Sequence, residues 1–355
     1  MTNWITRFAT TDEAREQSWA VSIMGKNISE QAQRMGFKEI CISDSLSPFL
    51  SNQPDKRAAI IAALLDPVKP GDTVFVQYPL WIQLNFQTEF FAYIKENRKA
   101  KSVAIIHDVL DYMMAGDDFV TDNSFDLYQL SHYFDLIIAH NEKFAQRLKN
   151  DGINLPMVSL HLFDYPHEVA LKKKTFKHQL YYPTGRELNS VDYSGKTTIK
   201  VISRMEKGNP DWPDNVEYLG GMTSKEVMAF FDGGFGLVNS NNMVEQETPG
   251  VREYAKYNNP TKLSTYIASG LPVIVTSESA HAEWIKKAGI GLIVDDLNDI
   301  DAILDKMTED DYNQMLENIA PWENALRSSF FSRRALTLAL NSLELGFDEG
   351  LIKFD

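Results

Sequence analysis

Short apolar runs, each long enough for one strand and separated from the next by a helix-length segment, recur along this chain and restrict it to an α/β fold. The runs at 37–43, 72–79, 101–108 and 134–140 are apolar at successive positions, not alternate ones. Strands of that kind are covered on both faces, as in a parallel sheet flanked by helices. Segments 18–36, 54–68 and 84–100 supply the crossover helices, and Pro54 with Asp55 suits a helix start. The stretch 155–164 closes this half. The polar stretch 167–185 breaks the pattern and reads as a linker. Beyond it the grammar repeats, with strand patterns at 185–195, 196–203, 215–221, 235–240, 271–276 and 291–296. Helix patterns cover 224–233, 262–270, 278–289 and 297–307. From 309 the chain is helical in pattern, with Pro321 placed to break or kink it. The expected architecture is two Rossmann-like domains facing a central cleft, over 1–170 and 171–330. A helical segment, 331–355, is expected to bridge back to the first domain.

A chain of 355 residues that is 44% apolar has enough material for two cores, so extensive disorder is not expected. The net charge of −14 disfavours nucleic acid, which needs a concentrated basic face. One phosphorylated small molecule needs only a few local donors. Cys41 is the single cysteine, so no disulfide forms within the chain. Its EICIS setting predicts a buried strand thiol. The first residues lack an export-type core and cleavage pattern, and no run reaches 18 uninterrupted apolar residues. The expectation is a cytoplasmic protein without a transmembrane segment, with peripheral membrane association left open.

The stretch 254–275, YAKYNNPTKLSTYIASGLPVIV, carries the chemistry most densely. It reads as a polar loop, a helix and a buried strand, an arrangement that α/β sheets use for phosphorylated ligands. Lys262 at a helix start is unfavourable with the helix dipole unless an anion is also there. Its functional reading is a diphosphate contact, and its bland reading a solvent-facing lysine. Asn258 and Asn259 are equally suited to ligand contact and to turn or cap roles. Gly270 and Pro272 read as a helix stop and a strand start. Ser194 and Gly195 sit where a strand turns, and Gly195 permits close backbone approach to a phosphate. Arg204 and Lys207 follow another strand, as phosphate donors or as partners of surface carboxylates. Tyr218 through Gly221, YLGG, form a strand end and turn suited to a nucleobase edge.

His107 and Asp108 close the third apolar run, where α/β domains place functional groups. A histidine near neutral pKa acts as a general base, and an aspartate takes the proton or orients a sugar hydroxyl. The alternative is an interior histidine bonded to backbone. Asp111, Tyr112 and the acidic run after them suit acceptor recognition or a solvated surface. Tyr78 and Trp81 either stack on a sugar or pack under a loop. Glu245 and Glu253, with Glu247 between them, raise glycoside hydrolysis, but nothing in the sequence holds them at a defined separation. The seven histidines form no tight array, and no metal is expected.

The segment YNNPTKLSTYIASGLPVIV, followed by AEWIKKAGIGLIVDDLNDI, resembles the glucosyltransferase 3 group that glycosylates adhesins of the accessory-secretion system. Related bacterial galactofuranosyltransferases are similar, and the two-domain pattern resembles the GT-B glycosyltransferases. The resemblance implies a UDP-sugar donor, UDP-glucose, held by the second domain. Lys262 and Asn259 would contact its diphosphate or sugar. Asn258 and Thr265 lie alongside, Ser194, Gly195 and Arg204 by the phosphates, and Tyr218 and Gly220 near the base. His107, Asp108 and Lys262 would be the catalytic set. The implied acceptor is N-acetylglucosamine on Ser or Thr of a serine-rich repeat adhesin, and the family implies a homo-oligomer. Many retaining GT-B enzymes hold the ribose with a glutamate in this helix, where this chain has Thr265, so the usual E-x7-E pattern is missing. The alternatives are a galactofuranosyltransferase of cell-surface polysaccharide synthesis and a catalytically silent nucleotide-sugar-binding partner.

Overall fold

The computed structural model describes residues 1–13, 20–50, 52–115, 125–204, 212–245 and 249–354. They form two compact units. One comprises Met1–Asp164 and Ser329–Asp355, the other Tyr165–Ser328.

The first unit is built on a six-stranded sheet of β1 (Asn3–Ala9), β2 (Lys38–Ser43), β3 (Thr73–Tyr78), β4 (Lys101–Ile106), β5 (Leu136–Ala139) and β6 (Met157–Ser159). The spatial order is β2-β1-β3-β4-β5-β6, with every pair parallel. All residues of the central β3 are buried. The order reverses between β1 and β3, so the topological switch point lies there. β1 was not foreseen. Its sequence, NWITRFA, mixes polar residues into the strand, and only Trp4, Ile5 and Thr6 are buried. Cys41 is exposed, which overturns the expected buried thiol. β2 is an edge strand and alternates, burying Ile40 and Ile42 and turning Cys41 outward.

The second unit holds β7 (Thr175–Thr184), β9 (Thr198–Ser203), β10 (Val216–Tyr218), β11 (Gly233–Leu237), β13 (Val273–Val275) and β14 (Gly291–Ile293). Their order is β10-β9-β7-β11-β13-β14, again with every pair parallel. Counted within the unit this is the 3-2-1-4-5-6 winding of a dinucleotide-binding fold, with its switch point between β7 and β11. A small antiparallel pair, β8 (Leu188–Val191) with β12 (Met243–Glu245), stands beside it. β7 corrects the linker reading of 167–185. The first half of TFKHQLYYPT is only partly covered, while Gln179 to Tyr182 are buried at the centre of the sheet.

The helix Thr261–Ala268 binds the switch point from behind. The buried Tyr266 hydroxyl donates to the carbonyls of Tyr181 on β7 (2.7 Å) and Leu237 on β11 (3.1 Å). Helix Glu309–Arg327 runs on through Pro321. The break comes instead at Ser329, in the left-handed region, before helix Phe330–Leu345. That last helix packs on helix Ala20–Arg34 and on β5 and β6 of the first unit.

Candidate active site

At the carboxyl end of β7, on the switch-point strand, one buried carboxylate gathers four partners. Glu245 accepts from the Tyr182 hydroxyl (2.9 Å), the Thr184 hydroxyl and Arg186 Nη1 (3.1 Å), and lies 3.7 Å from Lys262 Nζ. Tyr182 and Thr184 close β7, Arg186 follows it, and Glu245 ends β12. Lys262 comes from the first turn of helix Thr261–Ala268. Burial pushes the Glu245 carboxyl up, but the charge of Lys262, the hydroxyls of Thr184 and Tyr182, and Arg186 outweigh it and hold it at about 2. Lys262 Nζ also sits 3.8 Å from the centroid of the Tyr182 ring, a cation–π contact. A lysine that the helix dipole disfavours is thus held by a carboxylate and an aromatic face. Its side chain keeps a quarter of its surface in solvent. The cluster is a built cationic corner with Lys262 and Arg186 on either side of one anion.

Asn259 stands just before the same helix and is buried. Its Oδ1 is taken by His281 Nε2 at 2.9 Å, so the amide NH2 is its donor end. Asn258 Oδ1 is buried without a partner among the described residues. Thr265 is buried, with its hydroxyl donating to the Thr261 carbonyl (3.0 Å). Hydrogen bonds also link Thr265 and Ser224 to the Tyr165 phenol. Where the two neighbouring strands end, Arg204 follows β9 and Tyr218 closes β10. The Tyr218 hydroxyl donates to the Ser203 carbonyl (2.8 Å), and Ser203 N donates to Gly220 O (3.0 Å). Gly220 has φ +73°, which favours glycine at this turn. Arg204 is exposed and lies near enough to Glu226 to help lower that carboxyl, behind the Thr223 hydrogen bonds. Lys207 and Glu247 fall outside the described residues.

Ser194 and Gly195 are not brought to this place. They precede β9 and lie at its amino end, opposite the strand ends that carry Arg204 and Lys262. Ser194 N and Oγ both donate to Asn298 Oδ1 (2.9 and 3.0 Å). A Cβ on Gly195 would meet the Tyr193 hydroxyl at 2.4 Å and Asp301 Oδ2 at 2.6 Å, so this glycine makes room for its own neighbours. The carboxylate pair also dissolves. Glu253 is bound to Lys256, which also holds Glu278, both at 2.9 Å, while Glu245 belongs to the Lys262 cluster. Glu245 and Arg186 are the residues whose importance sequence reasoning missed. Their signal was three-dimensional, since 63 positions separate Glu245 from Tyr182.

In the first unit, His107 follows β4 and is 6% exposed. Its ring stacks on Phe163 (centroids 5.5 Å, 15° apart), and its Nε2 meets Gln77 Oε1 at 2.8 Å. Burial pushes its pKa down to about 4. The expected near-neutral base is therefore corrected: this imidazole is uncharged at neutral pH and weakly basic. Asp108 is half-buried, its N–H near the Tyr78 carbonyl (3.4 Å). Tyr78 is buried, its hydroxyl on Asp126 and on Gln129 (3.0 Å), which makes it a packing residue and not a sugar platform. Among the described residues no group of three His, Cys, Asp or Glu side chains is arranged to hold a metal ion, and no helix is long and apolar enough to cross a membrane.

Two parallel-sheet α/β units, the second wound as a dinucleotide-binding domain, are the GT-B architecture. Sucrose-phosphate synthase from Thermosynechococcus elongatus has the same fold. It superposes with a TM-score of 0.63 at 11% identity, over 98% of this chain and all of that one. Residues 2–162 match the Glucosyltransferase 3-like N-terminal domain and residues 185–339 its C-terminal domain, so the chain belongs to the glucosyltransferase 3-like family. It is 27% identical to Glucosyltransferase 3 of Streptococcus gordonii over 88% of this chain and 92% of the relative. It is 25% identical to the beta-1,6-galactofuranosyltransferase WbbI of Escherichia coli (strain K12), over 69% of this chain and 73% of that one. The chain is a glycosyltransferase.

Proposed function

We propose that the chain transfers glucose from UDP-glucose to N-acetylglucosamine already linked to Ser or Thr of a serine-rich repeat adhesin. The observation that carries the donor half is the cationic corner at the end of β7, where Lys262 and Arg186 are held by the buried Glu245. A diphosphate is the ligand that such a corner suits: it carries two or more negative charges and accepts charged hydrogen bonds. Lys262 and Arg186 stabilise the charge that develops on the departing diphosphate, and Glu245 keeps them from reorganising as it forms. Asn259 donates through its amide to the diphosphate or sugar, with Asn258 and Thr265 beside it. Arg204 adds a further cation at the phosphates. The β9 and β10 ends, with Tyr218 and Gly220, take the base. His107 serves as an uncharged hydrogen-bonding group for a sugar hydroxyl, and Asp108 lies next to it. The identity to Glucosyltransferase 3 over most of both chains supports glucose as the sugar.

The relationship to WbbI supports a second reading, galactofuranosyl transfer. The deciding experiment mixes the purified chain with a GlcNAc-bearing serine-rich peptide and either UDP-glucose or UDP-galactofuranose, and reads intact mass. A hexose gain from UDP-glucose alone is expected. A gain from UDP-galactofuranose alone overturns the first reading in favour of the second.

A further inference from the structure

Gln77 fills the switch point of the first unit and has no role in the chemistry assigned so far. It lies on β3 and is 5% exposed. Its amide nitrogen donates to the Thr6 carbonyl on β1 (2.7 Å) and to the Gly25 carbonyl on helix Ala20–Arg34 (2.9 Å). Both hydrogens of the NH2 are thereby used. The reverse orientation of the amide would set its oxygen against two carbonyl oxygens, so the hydrogen-bond network allows one assignment only. Oε1 therefore faces His107, and it is only an acceptor. His107 Nε2, 2.8 Å away, must carry the proton. Nδ1 then bears the lone pair, and it has no hydrogen-bond partner among the described residues.

We propose that Gln77 is a positioning residue: it locks His107 in the Nε2–H tautomer, so that Nδ1 is presented as a hydrogen-bond acceptor to a hydroxyl of the sugar substrate. The role in transfer rests on the glycosyltransferase reading, whereas the tautomer stands without it. Phe163 fixes the plane of the ring from one side. His140 Nε2, 3.0 Å from the His107 carbonyl, fixes the backbone. The absence of a side chain at Gly25 belongs to the same device. A Cβ there would lie 3.2 Å from Gln77 Oε1, tight enough to displace the oxygen that sets the tautomer. An acceptor-only nitrogen binds a hydroxyl and refuses a phosphate oxygen, which separates a sugar-facing role from a phosphate-facing one. The titratable neighbours of the ring are Asp108, next in sequence, and His140.

Long-range proton–nitrogen NMR of the nitrogen-15-labelled full chain, without donor or acceptor, reads the tautomer directly. The His107 signals are expected to show one protonated nitrogen, Nε2, unchanged between pH 8 and pH 5.5. In Gln77→Glu a carboxylate faces the ring, and the His107 titration is expected to rise by about 1–3 pH units. The acid limb of the transfer rate should move with it. Gly25→Ala, which adds one methyl group away from the ring, is expected to perturb the same signals. A wild-type mixture of tautomers, or a protonated Nδ1, overturns the proposal even if Gln77→Glu fails to fold. A fixed Nε2–H tautomer combined with transfer insensitive to His107→Ala overturns the role in transfer, and that result is distinguishable because the spectrum is read without substrate.

Discussion

At the scale of single residues, the site is a set of neighbours that satisfy one another before any ligand arrives. Lys262 shows why stability and transfer must be measured apart. On the proposed function Lys262→Ala removes a cation beside the departing diphosphate, and a loss of about 100-fold or more in kcat is expected. It also strips the buried Glu245 of a charge partner, with a cost of about 2 kcal/mol. The double variant Lys262→Ala/Glu245→Gln removes both charges. Denaturant unfolding should show most of that stability restored, while transfer stays as low as in the single variant. If the double variant recovered turnover, Lys262 would be a structural partner only. The place of Lys262 and Asn259 at a helix start was legible from NNPTK before an apolar helix, because helix-start signals are local. The charged cluster around Glu245 was not legible, because its partners come from β7 and from a helix far along the chain. The low basicity of His107 was equally hidden, since burial depends on Phe163 and Gln77, and neither is adjacent in sequence.

At the scale of elements, the strands buried on both faces were readable and the mixed ones were not. The patterns at 72–79 and 101–108 became β3 and β4 with little change of boundary. β1 and β7 were missed although both are interior strands, because their polar positions find partners far along the chain: Thr6 with Gln77 and Arg7 with Glu39 in β1, and Lys177 with Asp232 in β7. Position within the sheet, not composition, gives β7 its importance. It ends at Thr184, beside the charged cluster, and Tyr266 ties it to β11. The contact requires a residue without a side chain at Gly236 on β11, where a Cβ would lie 2.2 Å from the Tyr266 ring. Gly236→Ala must push the Thr261–Ala268 helix away from the sheet. Overpacking of this kind costs about 1–3 kcal/mol, and more where the ring cannot move. The expected result is a lowered denaturation midpoint, together with weaker UDP retention because Lys262 rides on the same helix. A midpoint equal to wild type would mean that the helix yields freely and does not fix the lysine.

At the scale of the whole molecule, each unit carries a buried carboxyl group, Asp164 and Glu245, whose pKa shifts run in opposite directions, and pH should separate the units. Two α/β halves were legible because the same strand–helix grammar occurs twice. The charge environment of each was not, since it depends on helix ends packed from distant sequence. In the first unit, Asp164 accepts from Phe331 N (3.2 Å) and Ser332 N (2.6 Å) at the start of helix Phe330–Leu345. Burial raises its carboxyl to about 6, against the opposing pull of Ser332, Phe331 and Arg333. A raised acid favours the protonated native state, so this group's contribution to stability falls as pH rises from about 4 to about 6 and is constant above that. Asp111 and Asp126 are raised in the same unit, burial being the largest cause, while Asp72 is lowered by its hydrogen bonds to Trp4, Lys69 and Thr2 against burial. In the second unit Glu245 is depressed to about 2, with its partners outweighing burial. Its contribution is complete above about pH 4.5 and is lost as pH falls toward 2. Taking the two groups alone, lowering the pH from 7 to 3.5 strengthens the first unit and weakens the second, a relative shift of about 4 kcal/mol. Calorimetry at the two pH values should therefore show transitions that move apart or exchange order, with Asp164→Asn removing the movement of one and Glu245→Gln that of the other. A single transition shifting uniformly in wild type and both variants would mean that the units unfold as one and that neither carboxylate governs the acid response.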